Sequence, residues 1–94
     1  MSGIVLSVEA ARAFDAQIAK VRDYLKSVEI SITREAYTGD GSRLFSCLDN
    51  DVAIDVYPDG ELVLMIKAGE ETHVYELDWD DVHLIDDIIG DHHA

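Results

Sequence analysis

Basic residues are scarce in this chain. Seven lysines and arginines stand against twenty acids, for a formal net charge of −13 and an isoelectric point near 4.3. Repulsion from phosphate therefore disfavours direct binding to nucleic acid or to an anionic membrane. The same charge favours a basic protein partner. Cysteine is nearly absent: Cys47 stands alone, which excludes an internal disulfide and fits a reducing compartment. Long apolar runs are missing. None approaches the roughly 18 residues of a membrane span, and Ile4-Val5-Leu6 is too short, and lacks the basic flank, for a secretory signal. The expected location is cytoplasmic. Proline occurs only at Pro58, so the remaining turns must be made by Gly, Asp and Asn.

What is present points to an ordered fold. Hydrophobic residues make up 48% of the 94 positions and fall in periodic runs, which argues against disorder despite the charge. The length suits one domain, 1–94, with residues 1–6 and 91–94 expected as flexible ends. Ser7 is a good helix N-cap with Glu9 in the first turn, and Ala11, Phe14, Ile18, Val21 and Leu25 recur at spacings of three and four. The spacing predicts a helix over 8–26. The period then switches to two. Val28, Ile30 and Ile32 predict a first strand, Arg43–Leu48 a second, Val52–Tyr57 a third, Leu62–Lys67 a fourth and Thr72–Leu77 a fifth. The breaks between them are Thr38–Ser42, Asp49–Asp51, Pro58-Asp59-Gly60 and Gly69–Glu71. Asp78 is placed to cap a last short helix whose apolar side is Trp79, Val82, Ile85, Ile88 and Ile89, with Gly90 as its stop and Asp91–Ala94 as a frayed end. Short turns imply an antiparallel meander of four to five strands. The expected fold is α+β and two-layered, the sheet flanked by an N-terminal helix and a short C-terminal one.

If Val28, Ile30, Ile32, Val52, Ile54, Val56, Leu62, Leu64 and Ile66 face the helices, the other sheet face carries Tyr57, Val63, Met65, Tyr75 and Phe45, flanked by Glu29, Asp55, Asp49 and Asp51. An open face is normally more polar than this, and an apolar patch rimmed by charge marks a contact surface.

Motifs that would carry chemistry are missing. An EF-hand loop begun at Asp55 places Tyr57 at its third ligand position and Ile66 at its twelfth; begun at Asp49, it puts Ile54 where glycine is needed. His83 and Asp87, four apart near His92 and His93, make a weak zinc set. Cys47 has no neighbour but Arg43 to activate it. Gly39-Asp40-Gly41-Ser42 lacks the lysine of a phosphate loop and carries an acid that would repel phosphate. No enzyme, metal or cofactor is expected.

Charge remains, and it is unevenly placed. Residues 1–46 carry six acids and six bases, whereas residues 47–94 carry fourteen acids and Lys67 alone. A salt-adapted chain would be acidic throughout. Asp49, Asp51 and Asp55, then Asp78, Asp80 and Asp81, then Asp86 and Asp87 could form a track of regular negative charge, with Tyr57, Met65, Tyr75 and Trp79 as apolar anchors. Asp86 and Asp87, read as lying near the negative end of the last helix, would be unfavourable for folding, and such positions are where function overrides stability. In kind, though by no shared motif, the chain looks like the small acidic decoys that phages direct against restriction or CRISPR nucleases. The expected function is a non-enzymatic inhibitor that occupies the basic surface of a nucleic-acid-binding protein or nuclease complex. The alternatives are a homo-oligomeric accessory module using the apolar sheet face, and an immunity or antitoxin protein that neutralises a basic toxin.

Overall fold

The computed structural model describes residues 7–93; the expected flexible lead at 1–6 and the terminal Ala94 lie outside them. The element order is α1 (Val8–Ser27), β1 (Ile32–Tyr37), β2 (Arg43–Cys47), β3 (Val52–Val56), β4 (Glu61–Ala68), β5 (Glu71–Asp78), a 3-10 turn (Trp79–Leu84) and α2 (Ile85–His93). The five strands form one antiparallel sheet in sequence order, and both helices lie on one side of it. The architecture is a two-layer α+β domain.

Helix α1 begins as its sequence dictates, with the Ser7 hydroxyl accepting from the Ala10 N–H at 3.1 Å, a cap that stabilises by about 1 kcal/mol. Phe14, Ile18, Val21 and Leu25 bury its inner stripe. Its end explains why β1 starts later than the alternation suggested. Glu29 takes a left-handed conformation, φ 62°, its N–H bonds the Lys26 carbonyl at 3.1 Å, and the Ile30 N–H bonds the Leu25 carbonyl at 2.8 Å. These are the two bonds of a Schellman cap, in which the residue after the left-handed one packs back on the helix. Ile30 is buried for that reason, and Val28 closes the helix. Neither belongs to a strand, and β1 runs from Ile32.

The hairpins set the faces. At the β3–β4 turn, Pro58 and Asp59 precede Gly60 at φ 103°, and the Asp59 carboxylate accepts from the Glu61 N–H at 3.1 Å; this is a three-residue hairpin with glycine in the left-handed position. Between β2 and β3, Leu48, Asp49 and Asn50 are all left-handed, a conformation that Asp and Asn tolerate better than most side chains. The two-residue loop Gly69-Glu70 joins β4 to β5, with Gly69 at φ 67°. Phe45, Cys47, Val52, Ile54, Val56, Leu62, Leu64 and Ile66 then point at the helices, each fully buried. Each large apolar side chain so buried contributes about 1.5–3 kcal/mol. Phe45 is thus a core residue and not part of the opposite face.

The segment that follows β5 is tied to the rest of the domain at several points. The Trp79 indole N–H donates to the Tyr57 carbonyl at 2.9 Å, and Gln17 on α1 donates to the Trp79 carbonyl at 3.3 Å. The Tyr24 hydroxyl donates to the His83 carbonyl and accepts from the Asp86 N–H, capping the start of α2 from α1. Helix α2 passes through Gly90 without stopping and ends at His93. The His92 ring lies 4.7 Å from the His73 ring on β5 and hydrogen-bonds the Tyr75 hydroxyl.

Candidate functional site: an open sheet face with an acidic corner

Strand periodicity and register place the outward residues in rows. One row runs Ala36, Leu44, Asp55, Val63, Glu76 across the five strands; the next runs Arg34, Ser46, Ala53, Met65, Val74. At one end Tyr57, Glu61 and Asp78 form a further short row, and at the other stand Lys67 and Thr72. Among the described residues no helix covers this side. Its centre is apolar: Leu44, Ala53, Val63 and Met65 are partly shielded by one another, and Val74 is 58% exposed.

Asp55 sits in the middle of that apolar centre. It is 8% exposed, and its Oδ1 has no hydrogen-bond partner. Loss of hydration and the neighbouring Asp55 carboxylate push the Tyr57 hydroxyl up to about 12.

The corner next to Tyr57 is strongly acidic. Asp59, Glu61, Glu76, Leu77, Asp78 and Asp81 line a concavity of about 390 Å³, with no basic side chain among them. Glu61 and Asp78 are directly opposite on β4 and β5. Like charges at such a pair are destabilising, and diagonal neighbours such as Glu76 lie only ~7–8 Å away. Asp81 is partly committed to structure, since its carboxylate accepts from the Asp78 N–H at 3.1 Å.

Of the residues singled out in the sequence, the structure brings together Asp55, Tyr57 and Met65 on the open face, with Asp51 at its far end beside Lys67, and adds Asp78 and Asp81 at its acidic corner. The others go elsewhere, so the proposed single track of charge does not form. Asp49 and Asp51 lie at the β2–β3 turn, whose end of the sheet is about 20 Å from the acidic corner along β4. Asp49 also serves that left-handed turn. Tyr75 faces the helix layer and is held by His92. Trp79 packs on the core with its indole N–H occupied. Asp80 is exposed on the 3-10 turn. Asp86 and Asp87 occupy the first turn of α2 on the helix layer. The helix begins later than the sequence suggested, so these two carboxylates meet its positive end and favour folding. Asp78, read as part of the track, does stand at the corner, whereas its companions Asp59, Glu61 and Glu76 were missed. Counting outward from the Gly69-Glu70 loop pairs Glu61 with Asp78 and Val63 with Glu76, and that register was the available signal.

On the helix side one carboxylate is paired twice. Glu35 accepts from Arg22 Nη2 at 2.7 Å and Arg43 Nη2 at 3.0 Å. Hydrogen bonding to Arg22, reinforced by Arg43, lowers its carboxyl to about 2. Burial pushes the Cys47 thiol up to about 11, which leaves it a protonated core residue at neutral pH. Among the described residues no group of three or more His, Cys, Asp or Glu side chains is arranged to hold a metal ion, and no helix is long and apolar enough to cross a membrane. No family model matches this chain, and comparison with curated proteins and with solved structures finds no significant similarity.

Proposed function

We propose that this chain is a non-enzymatic inhibitor whose acidic corner and open sheet face occupy the basic, nucleic-acid-binding surface of a partner protein. The observation that carries this reading is the corner itself: five carboxylates around one concavity, two of them at a cross-strand pair where folding disfavours like charge. Carboxylates spaced by several ångströms offer an Arg/Lys groove what a phosphate backbone offers it, and the adjoining apolar face supplies the dry contact that charge alone does not. Association should be fast and weaken with salt. A nuclease complex of the restriction or CRISPR kind is the partner class in view, and a basic toxin would be engaged by the same surface.

The test is capture at low salt with the native chain and a variant carrying Asp59→Asn, Glu61→Gln and Glu76→Gln. These amides remove charge while Asp78 and Asp81 keep their capping contacts. The reading expects a nucleic-acid-binding protein to be retained by the native chain only, to elute with salt, and to lose nucleic-acid binding when the chain is added. Capture that is indifferent to salt and to the amides would contradict it. A self-associating module would use the same open face, and the net charge of −13 opposes that. A monomeric mass at high concentration decides against it.

A further inference from the structure

We infer that Asp55 is the seat of one arginine side chain of the basic partner, its guanidinium lying over the open sheet face against the unpartnered carboxylate oxygen and the Tyr57 ring. This rests on the reading that the partner is a basic protein and names the contact that would give it specificity. Asp55 lies on the middle strand of five, with Leu44 and Val63 directly across and Ala53 and Tyr57 two residues to either side. Its nearest neighbours are therefore apolar apart from the phenol, with Ser46 and the acidic Glu61 on the diagonals, and its Oδ1 has no hydrogen-bond partner in the chain. The register also keeps this chain's own cations away. Arg43, on the neighbouring strand, points to the helix side and serves Glu35. Arg34 stands two strands off and two residues along, about 12 Å away, and Lys67 is level with Asp51, four residues along and one strand across, about 14 Å away.

A carboxylate so shielded, with one oxygen left unpartnered, is unfavourable for folding, and a valine would continue the apolar face without that penalty. The group makes sense when a cation arrives from outside. Arginine suits the site better than lysine. Its planar fork matches a carboxylate, it is more weakly hydrated, and it stacks on an aromatic ring. The acidic corner a few ångströms further on would receive the partner's remaining positive charge.

The probe is a short synthetic peptide carrying one arginine between leucines, with a second peptide bearing neutral citrulline in its place. Each is titrated into the native chain, the Asp55→Asn variant and the corner variant of the preceding section, followed by backbone amide shifts and affinity, with thermal unfolding measured alongside. The inference expects the citrulline peptide and Asp55→Asn each to weaken binding roughly tenfold to a hundredfold. Combining the two changes should weaken it no further. Shifts should centre on Leu44, Asp55 and Val63, and Asp55→Asn should unfold at the same temperature as the native chain or higher.

If Asp55→Asn still discriminates arginine from citrulline, the guanidinium sits elsewhere and the inference fails. If it unfolds at a clearly lower temperature, the carboxylate is a structural group and the inference fails as well. In either case the acidic-surface reading survives provided the corner variant loses affinity; if the corner variant also binds as the native chain does, both fall.

Discussion

The two faces of this sheet are built from the same strands to different standards. Toward the helices, every central position from Phe45 to Ile66 is apolar and sealed, and the Glu35 carboxylate at the border of that face is bonded to two arginines. Toward the outside, Leu44, Val63 and Met65 remain partly exposed, one oxygen of Asp55 is shielded without a partner, and Glu61 faces Asp78. Each outward choice is one that folding would improve: a polar residue for the apolar ones, an apolar residue for Asp55, a lysine for Glu61. One face is optimised for the fold and the other is not, and unoptimised positions that cluster on one surface point to what that surface meets.

The sharpest way to break the contrast is truncation on either face. Leu64→Ala, inside, should cost about 3–4 kcal/mol in chemical denaturation, because transfer and cavity terms add. Met65→Ala, one residue along and outside, should cost under about 1 kcal/mol. Equal losses would mean that the outer side is a second core. Next in size is the comparison of the two carboxylates. The Glu35 carboxyl stands at about 2 in the folded chain against an ordinary 4.5. An acid depressed on folding stabilises the protein above its unfolded value, and that stability is lost as pH falls from about 4.5 through about 2. Glu35→Gln should therefore cost about 1–2 kcal/mol at neutral pH, discounted for the partial exposure of the arginine partners, and should flatten acid unfolding across that window. Asp55→Asn should cost no stability at neutral pH.

Smaller effects sharpen the account of the layers themselves. Glu29→Gly should stabilise by up to about 1 kcal/mol, since glycine accepts φ 62° without strain. A loss of stability on denaturant unfolding would show that the glutamate side chain contributes more than its backbone penalty. Cys47 should resist a thiol reagent until the protein unfolds, its labelling rate tracking global opening. In a spectrophotometric titration, Asp55→Asn should lower the pH at which Tyr57 ionises from about 12, by removing the neighbouring charge.

Much of the fold was legible in the sequence because its signals were local. The three- and four-residue recurrence of Phe14, Ile18, Val21 and Leu25 marked α1, and Pro58-Asp59-Gly60 and Gly69 marked two hairpins that the structure contains. The misreadings came where one pattern imitated another. Val28, Ile30 and Ile32 alternate like a strand, but Ile30 is buried by a helix cap. Phe45 shares a strand whose two faces both mix apolar and polar residues, so alternation alone did not orient it. Asp86 and Asp87 were placed at the wrong helix end because the 3-10 turn over 79–84 delays α2. The acidic corner was harder still. Its residues come from a turn, two strands and a cap, none notable alone, and only the β4–β5 register assembles them.

The most direct test of the central claim changes one outward residue and reads two quantities. Glu61→Gln removes half of the like-charge cross-strand pair without altering shape. The account predicts that this variant unfolds at a slightly higher denaturant concentration than the native chain and captures less of the basic partner at low salt. Unchanged capture, or a lower unfolding midpoint, would contradict it: the corner would then be part of the folding design and not the surface that binds.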